Sequence, residues 1–118
     1  MIQAQFSGNQ YDIILDSNKA VSDLQRMLPL TLELNRYGGN EFSCTLPKKL
    51  TDKGVEKTSF VKKNHIYYWD PWTSFALVYK DSNISPYKLV HIGEATGNLA
   101  GILDSTTDKA TITLTSKQ

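Results

Sequence analysis

The feature that most constrains this chain is a series of short runs of strand-forming residues, each broken by a turn signal. "IQAQF", "YDIIL", "LTLEL", "FSCTL", "HIYYW", "SFALVY", "YKLVHIG" and "ATITLT" recur along the chain with polar or glycine-containing segments between them. In "IQAQF", Ile2, Ala4 and Phe6 alternate with Gln3 and Gln5, the period-two pattern of a half-buried strand. Leu30, Leu32 and Leu34 alternate in the same way with Thr31 and Glu33, and Phe42, Cys44 and Leu46 share one face of the following run. The pattern predicts about seven or eight short strands, mostly in strand–turn–strand pairs, and so a mainly antiparallel sheet. Several runs are apolar on both faces. That calls for cover on both sides, which a closed or nearly closed barrel with helices over its outside or ends would supply.

Local signals refine this outline. Gly8-Asn9 in "SGNQ" tolerates the positive φ of a tight hairpin. In "DSNKAVSDLQRMLP", Asp16 and Ser17 are the expected N-caps, because their side chains accept from free backbone N–H groups. Ala20, Val21, Leu24, Met27 and Leu28 form one helical face, and Pro29 stops the helix. "TGNLAGILDS" predicts a second, shorter helix with Leu99, Ile102 and Leu103 inward and Thr96 as its cap. Residues 47–63 hold six lysines against Asp52 and Glu56. They read as a solvated surface connection, pinned by Leu50, Val55 and Phe60. The alternative is a docking site for an acidic partner.

Length and composition bound the function. The 118 residues suit one domain, 1–118. A formal net charge of +1 lacks the basic excess of a nucleic-acid binder. No run has the apolar length of a membrane span. The start "MIQAQFSGNQ" lacks the basic and apolar regions of a signal peptide, and Cys44 is the one cysteine. A cytoplasmic location is expected, with an exported domain lacking its leader as the alternative. Oligomeric state is not encoded in any of these features.

The residues offer no self-evident catalytic set. His65 and His91 lie far apart in sequence, with one cysteine, so no zinc-type cluster is expected. His91, between Val90 and Ile92, reads as an exposed or satisfied strand histidine. Cys44 reads as a small buried hydrophobe. "TGNLAG" lacks the lysine and spacing of a phosphate loop. No catalytic residue, metal or cofactor is therefore expected. What remains is "YYWDPWTSFALVY", which holds six of the chain's 12 aromatic residues. Its alternation sends one set of rings into the barrel and the other towards a helix, a loop or a ligand. Trp72 sits by the Asp70-Pro71 turn, where it could line a groove. The candidate lining of a peptide or small-molecule site is Arg36, Tyr37, His65, Tyr68, Trp69, Trp72 and Phe75.

The order hairpin, capped helix, "MLPLTLEL", "HIYYWDPWTSFALVY", "LVHIGEATGNLAGIL" and terminal "ATITL" resembles the bacterial cyclophilin-like domain family over nearly the whole chain. The resemblance implies a mainly β fold, a closed antiparallel β-barrel of about eight strands with two helices. True cyclophilins are peptidyl-prolyl isomerases that use an arginine in a Phe-His-Arg strand. The matching strand here, "LTLELNRY", has no such triplet, and Arg36 is expected beyond it, near the Gly38-Gly39 loop. "TSFALVY" replaces the glutamine-containing stretch. No catalytic residue is carried over. The aromatic run and the missing catalytic set together lead to the expectation of a non-catalytic peptide or small-molecule binding module on this barrel, with a divergent isomerase using Arg36 or His65 as alternative. Some members occur beside flavodoxin-like domains, which makes an accessory or partner-binding role in a redox system a further alternative.

Overall fold

Alternation gives a strand two unlike faces, and runs that are apolar on both must be covered on both. The chain meets this demand by rolling its sheet shut. The computed structural model describes residues 1–117. In chain order the elements are β1 (Ile2–Phe6), β2 (Asn9–Leu15), α1 (Lys19–Arg26), β3 (Leu30–Tyr37), β4 (Glu41–Thr45), β5 (Lys57–Thr58), β6 (Phe60–Val61), β7 (His65–Trp69), a single 3-10 turn (Asp70–Trp72), β8 (Ser74–Val78), β9 (Ser82–Asn83), β10 (Leu89–Ala95), α2 (Leu99–Thr106) and β11 (Lys109–Ser116). Eight strands follow one another as β2-β1-β11-β3-β4-β8-β7-β10, and β10 pairs with β2 again to close the ring. Every ladder in it is antiparallel. This is the mainly β, closed barrel of about eight strands with two helices that the family resemblance implies, and it agrees with the seven or eight strands that the alternation predicts. No helix is long and apolar enough to cross a membrane among the described residues.

Inward-facing side chains fill the barrel. Ile2, Ile13, Leu34, Phe42, Tyr68, Phe75, Leu77 and Ile92 are all buried in one cluster. Ala20, Val21 and Leu24 of α1 and Leu99, Ala100 and Leu103 of α2 join the same core. A second, smaller cluster lies on the outer face. There Val61, Tyr67, Val78 and Leu89 pack beneath the ribbon that β6 and β9 form. Tyr67 keeps its polar tip satisfied in this position, since its hydroxyl accepts from the Lys62 N–H at 2.9 Å.

Several local expectations need correction. The N-cap of α1 is Asn18, whose Oδ1 accepts from the Val21 N–H at 2.8 Å. Asp16 is not free for that role, because its carboxylate is spent on His91. Thr96 does not cap α2, since its hydroxyl donates to the Asp12 carbonyl at 3.0 Å. The Ala100 N–H instead finds Asn64 Oδ1 at 2.9 Å, a cap supplied from 36 residues away in the sequence. The first hairpin turns on Ser7-Gly8, with φ of 52° and 81°, rather than on Gly8-Asn9. In the 47–63 connection Leu50 is buried and Val55 packs on the core, but Phe60 is exposed and Val61 fills the pocket instead. β5, β6 and β9 are short pairings in segments expected to be irregular.

β10 runs on past Gly93 to Ala95. Gly93 sits where β10 shifts register against β7 and begins to pair with β2. A Cβ there would clash with the Ile14 carbonyl oxygen and stand 3.2 Å from the Leu15 Cα. The strand needs glycine for this close approach.

Candidate functional site

Strand alternation decides which rings are left outside. Phe75 and Leu77 of β8 point into the barrel, so Ser74 and Ala76 face outwards, and their small side chains leave space over the sheet. Tyr37 and Glu41 stand opposite each other across the β3–β4 hairpin, and Trp69 stands opposite Ser74. The 3-10 turn after β7 brings Trp72 back over this face, helped by Thr73, whose φ of 49° lets the chain reverse. Tyr87 arrives from the segment before β10. The result is a cleft of about 300 Å³ with rings along its wall.

These rings touch in sequence, edge to face. Tyr37 meets Trp72 at 6.3 Å between centroids, Trp72 meets Trp69 at 5.0 Å, and Trp69 meets Tyr87 at 5.7 Å. Such geometry sets the positive edge of one ring against the negative face of the next. Tyr37, Trp72 and Tyr87 are 54%, 58% and 58% exposed. They are three of the six large apolar side chains exposed among the described residues. Scattered exposure is ordinary, whereas these three side chains gather in one concavity. Glu41 lines the same cleft, and burial raises its carboxyl above the usual glutamate range despite a hydrogen bond from Ser43.

A second polar constellation lies elsewhere. His65 Nδ1 and His91 Nε2 are 2.8 Å apart, and His91 Nδ1 is 2.6 Å from Asp16 Oδ2. His65 Nε2 faces Glu94 at 3.8 Å. If His91 gives its Nδ1 proton to Asp16, its Nε2 accepts from His65 Nδ1–H, so the two rings form one proton-bearing chain. Burial lowers the His65 pKa, with the neighbouring Glu94 opposing it. Asp16 and His91 border a broad groove of about 660 Å³ beside the start of α1. Among the described residues no three His, Cys, Asp or Glu side chains gather as metal ligands would.

Residues 4–115 match the family described as the cyclophilin-like family. The chain belongs to the cyclophilin-like family. A hypothetical protein from Archaeoglobus fulgidus, known from its solution structure, shares the fold with a TM-score of 0.63. It is 17% identical, over 98% of this chain and 93% of that one, so the likeness concerns the fold alone. No curated protein matches the sequence.

On this cyclophilin-like barrel the candidate residues separate. Tyr37, Trp69 and Trp72 come together at the cleft. Tyr68 and Phe75 are buried in the barrel core, each 1% exposed. The Tyr68 hydroxyl donates to Asp70 Oδ1 at 2.8 Å and accepts from the Leu50 N–H at 3.1 Å. His65 lies on the outer face of β7 with Trp69, but Tyr67 and the ribbon above it stand between them. Arg36 lies within β3, not beyond it. Its guanidinium donates to Asp108 at 2.8 Å, to Asp104 at 2.7 Å and to two backbone carbonyls, and it stacks on Phe42 and Tyr79. These partners hold it charged and fixed on the inner side of the hairpin.

Sequence reasoning missed Glu41 and Tyr87, and read the two histidines as separate. Period two from Tyr37 and Trp69 does carry the outer-face assignment. Nothing local to Tyr87, or to the histidine pair 26 residues apart, announces their partners.

Proposed function

We propose that this protein is a binding module that takes a small molecule or a peptide side chain in the outer-face aromatic cleft, without turning it over. The observation that carries this reading is the unbroken row Tyr37–Trp72–Trp69–Tyr87, largely exposed on a protein that buries most of its other large apolar side chains. A row of rings with polar tips supplies contact area at low conformational cost, which is why aromatics dominate recognition surfaces. Isomerase activity would draw on the same cleft but needs one donor aimed at a prolyl carbonyl. Arg36 is committed to Asp104 and Asp108, and His65 to His91, which favours binding without catalysis.

Both tryptophans of the chain line this cleft, so intrinsic fluorescence reports on it directly. Titration with prolyl peptides and a metabolite panel should shift the emission, and Trp72→Ala should remove the response while the fold persists. No change in emission or in amide NMR shifts around Trp69 and Trp72 at millimolar ligand would refute the reading. Faster cis–trans exchange of a prolyl peptide would move the assignment to the isomerase.

A further inference from the structure

The cleft also carries a charge without a counterpart. Glu41 projects from the outer face of β4 beside Tyr37 and Trp72, and it forms no ion pair among the described residues. The one cation in the β3–β4 hairpin, Arg36, stands opposite the core residue Phe42 and is spent on Asp104 and Asp108, although it reaches an adjoining pocket of about 240 Å³ that Glu41 also lines. No lysine or arginine lines the cleft. A carboxylate partly withdrawn from water and left unpaired is costly, and a cationic occupant would offset that cost. Aromatic faces act in the same direction, since their quadrupoles attract a cation, most strongly at tryptophan.

We propose that the ligand of this cleft is an organic ammonium, a quaternary or alkylated amine, with Glu41 as its counter-ion and Trp69 and Trp72 as its ring contacts. The proposal rests on the cleft being the ligand site and adds the chemical class of the ligand. Alkyl groups on the nitrogen match the apolar wall that Ala76, Ile84 and Leu89 complete. They also spread the charge, so the ion sheds water more readily than a metal ion or a bare ammonium does. An anionic ligand would meet Glu41 repulsively, and a neutral one would leave it uncompensated.

The test compares choline with its uncharged carbon isostere, dimethylbutanol, on the full chain, read by tryptophan emission and by the indole N–H shifts of Trp69 and Trp72. Choline is expected to bind at least about tenfold more tightly than the isostere, equivalent to ~1.4 kcal/mol. Glu41→Gln keeps the side-chain shape and should bring the two affinities together, with thermal melting confirming that the variant is folded. Equal binding of both probes to the unaltered protein overturns the ammonium assignment while leaving the cleft as a ligand site. A choline preference that survives Glu41→Gln also overturns it, because the counter-ion is then elsewhere. Silence from both probes overturns the assignment, and silence across the peptide and metabolite panel as well removes the ligand site itself.

Discussion

Asn64, a half-buried residue in the turn before β7, makes four hydrogen bonds that tie distant elements together. It adopts φ of 71°, a conformation that asparagine tolerates better than most residues. Its N–H donates to the Val78 carbonyl and its own carbonyl accepts from the Ala95 N–H. Its side chain donates to the Ala95 carbonyl at 2.6 Å and accepts from the Ala100 N–H at 2.9 Å. One residue thus joins the start of β7, the ends of β8 and β10, and the first turn of α2. Asn64→Ala should lose about 1–3 kcal/mol of stability by urea unfolding, because it leaves the part-buried Ala100 N–H without its partner. Asn64→Gly keeps the backbone angle at little cost, so any loss it shows belongs to the side-chain bonds. If Gly proved as stable as Asn, those bonds would contribute nothing.

At the scale of elements, the barrel strands were largely legible because alternation is a local property. Ile2, Ala4, Leu32, Leu34, Phe42 and Leu114 all face the core, as period two requires. The short pairings were not legible. β5, β6 and β9 are two residues each, too short to show a period; β5 forms on the edge of β10, and β6 and β9 form by pairing with each other. Caps misled for a related reason. Asp16 and Asn18 are both good capping residues, and only the distant His91 decides which one remains available. For the cleft, the outward position of Trp69 could be read from its strand, whereas Tyr87 depends on the path of a loop. Tyr68 and Phe75, on the faces opposite Trp69 and Ser74, go inside by the same alternation. The seam between β10 and β2 shows how much one position can decide. Gly93→Ala forces a methyl against β2 backbone, which cannot move as a side-chain tip would. The expected loss is about 1–3 kcal/mol, measured by chemical denaturation. Faster amide hydrogen exchange at Ile13 and Leu15 should accompany it, while α2 stays protected.

For the molecule as a whole, charge placement predicts a two-stage loss of stability in acid. Burial lowers the His65 pKa from its ordinary 6.5, so the unfolded chain takes up that proton first. Stability should therefore begin to fall as pH drops below about 6.5. Asp12, held down by the hydrogen bond from Lys117, Asp23 by Thr51 and Asp70 by Tyr68, lie below the ordinary carboxylate value of 3.8. Their contribution is present above that value and is lost as pH falls through the lowered ones. Glu41 acts in the opposite sense, because its raised pKa favours the folded state when it is protonated. Urea midpoints measured between neutral pH and the carboxylate range should show both stages, and His65→Asn should flatten the upper one. An unchanged upper stage in that variant would assign it to another group.

Closure of the barrel leaves part of one strand edge to be covered by another element. β2 covers only Gly93, Glu94 and Ala95 of the β10 edge, since the chain leaves for α1 after Leu15. Leu89 and Val90 would otherwise present an open, apolar edge, the kind that recruits a strand from another chain. β5 occupies that stretch with Lys57 and Thr58. The connection that reads in sequence as a solvated linker thus also covers the stretch of the β10 edge that β2 leaves unpaired. It completes the sheet where the ring falls short and places a charged side chain on its rim.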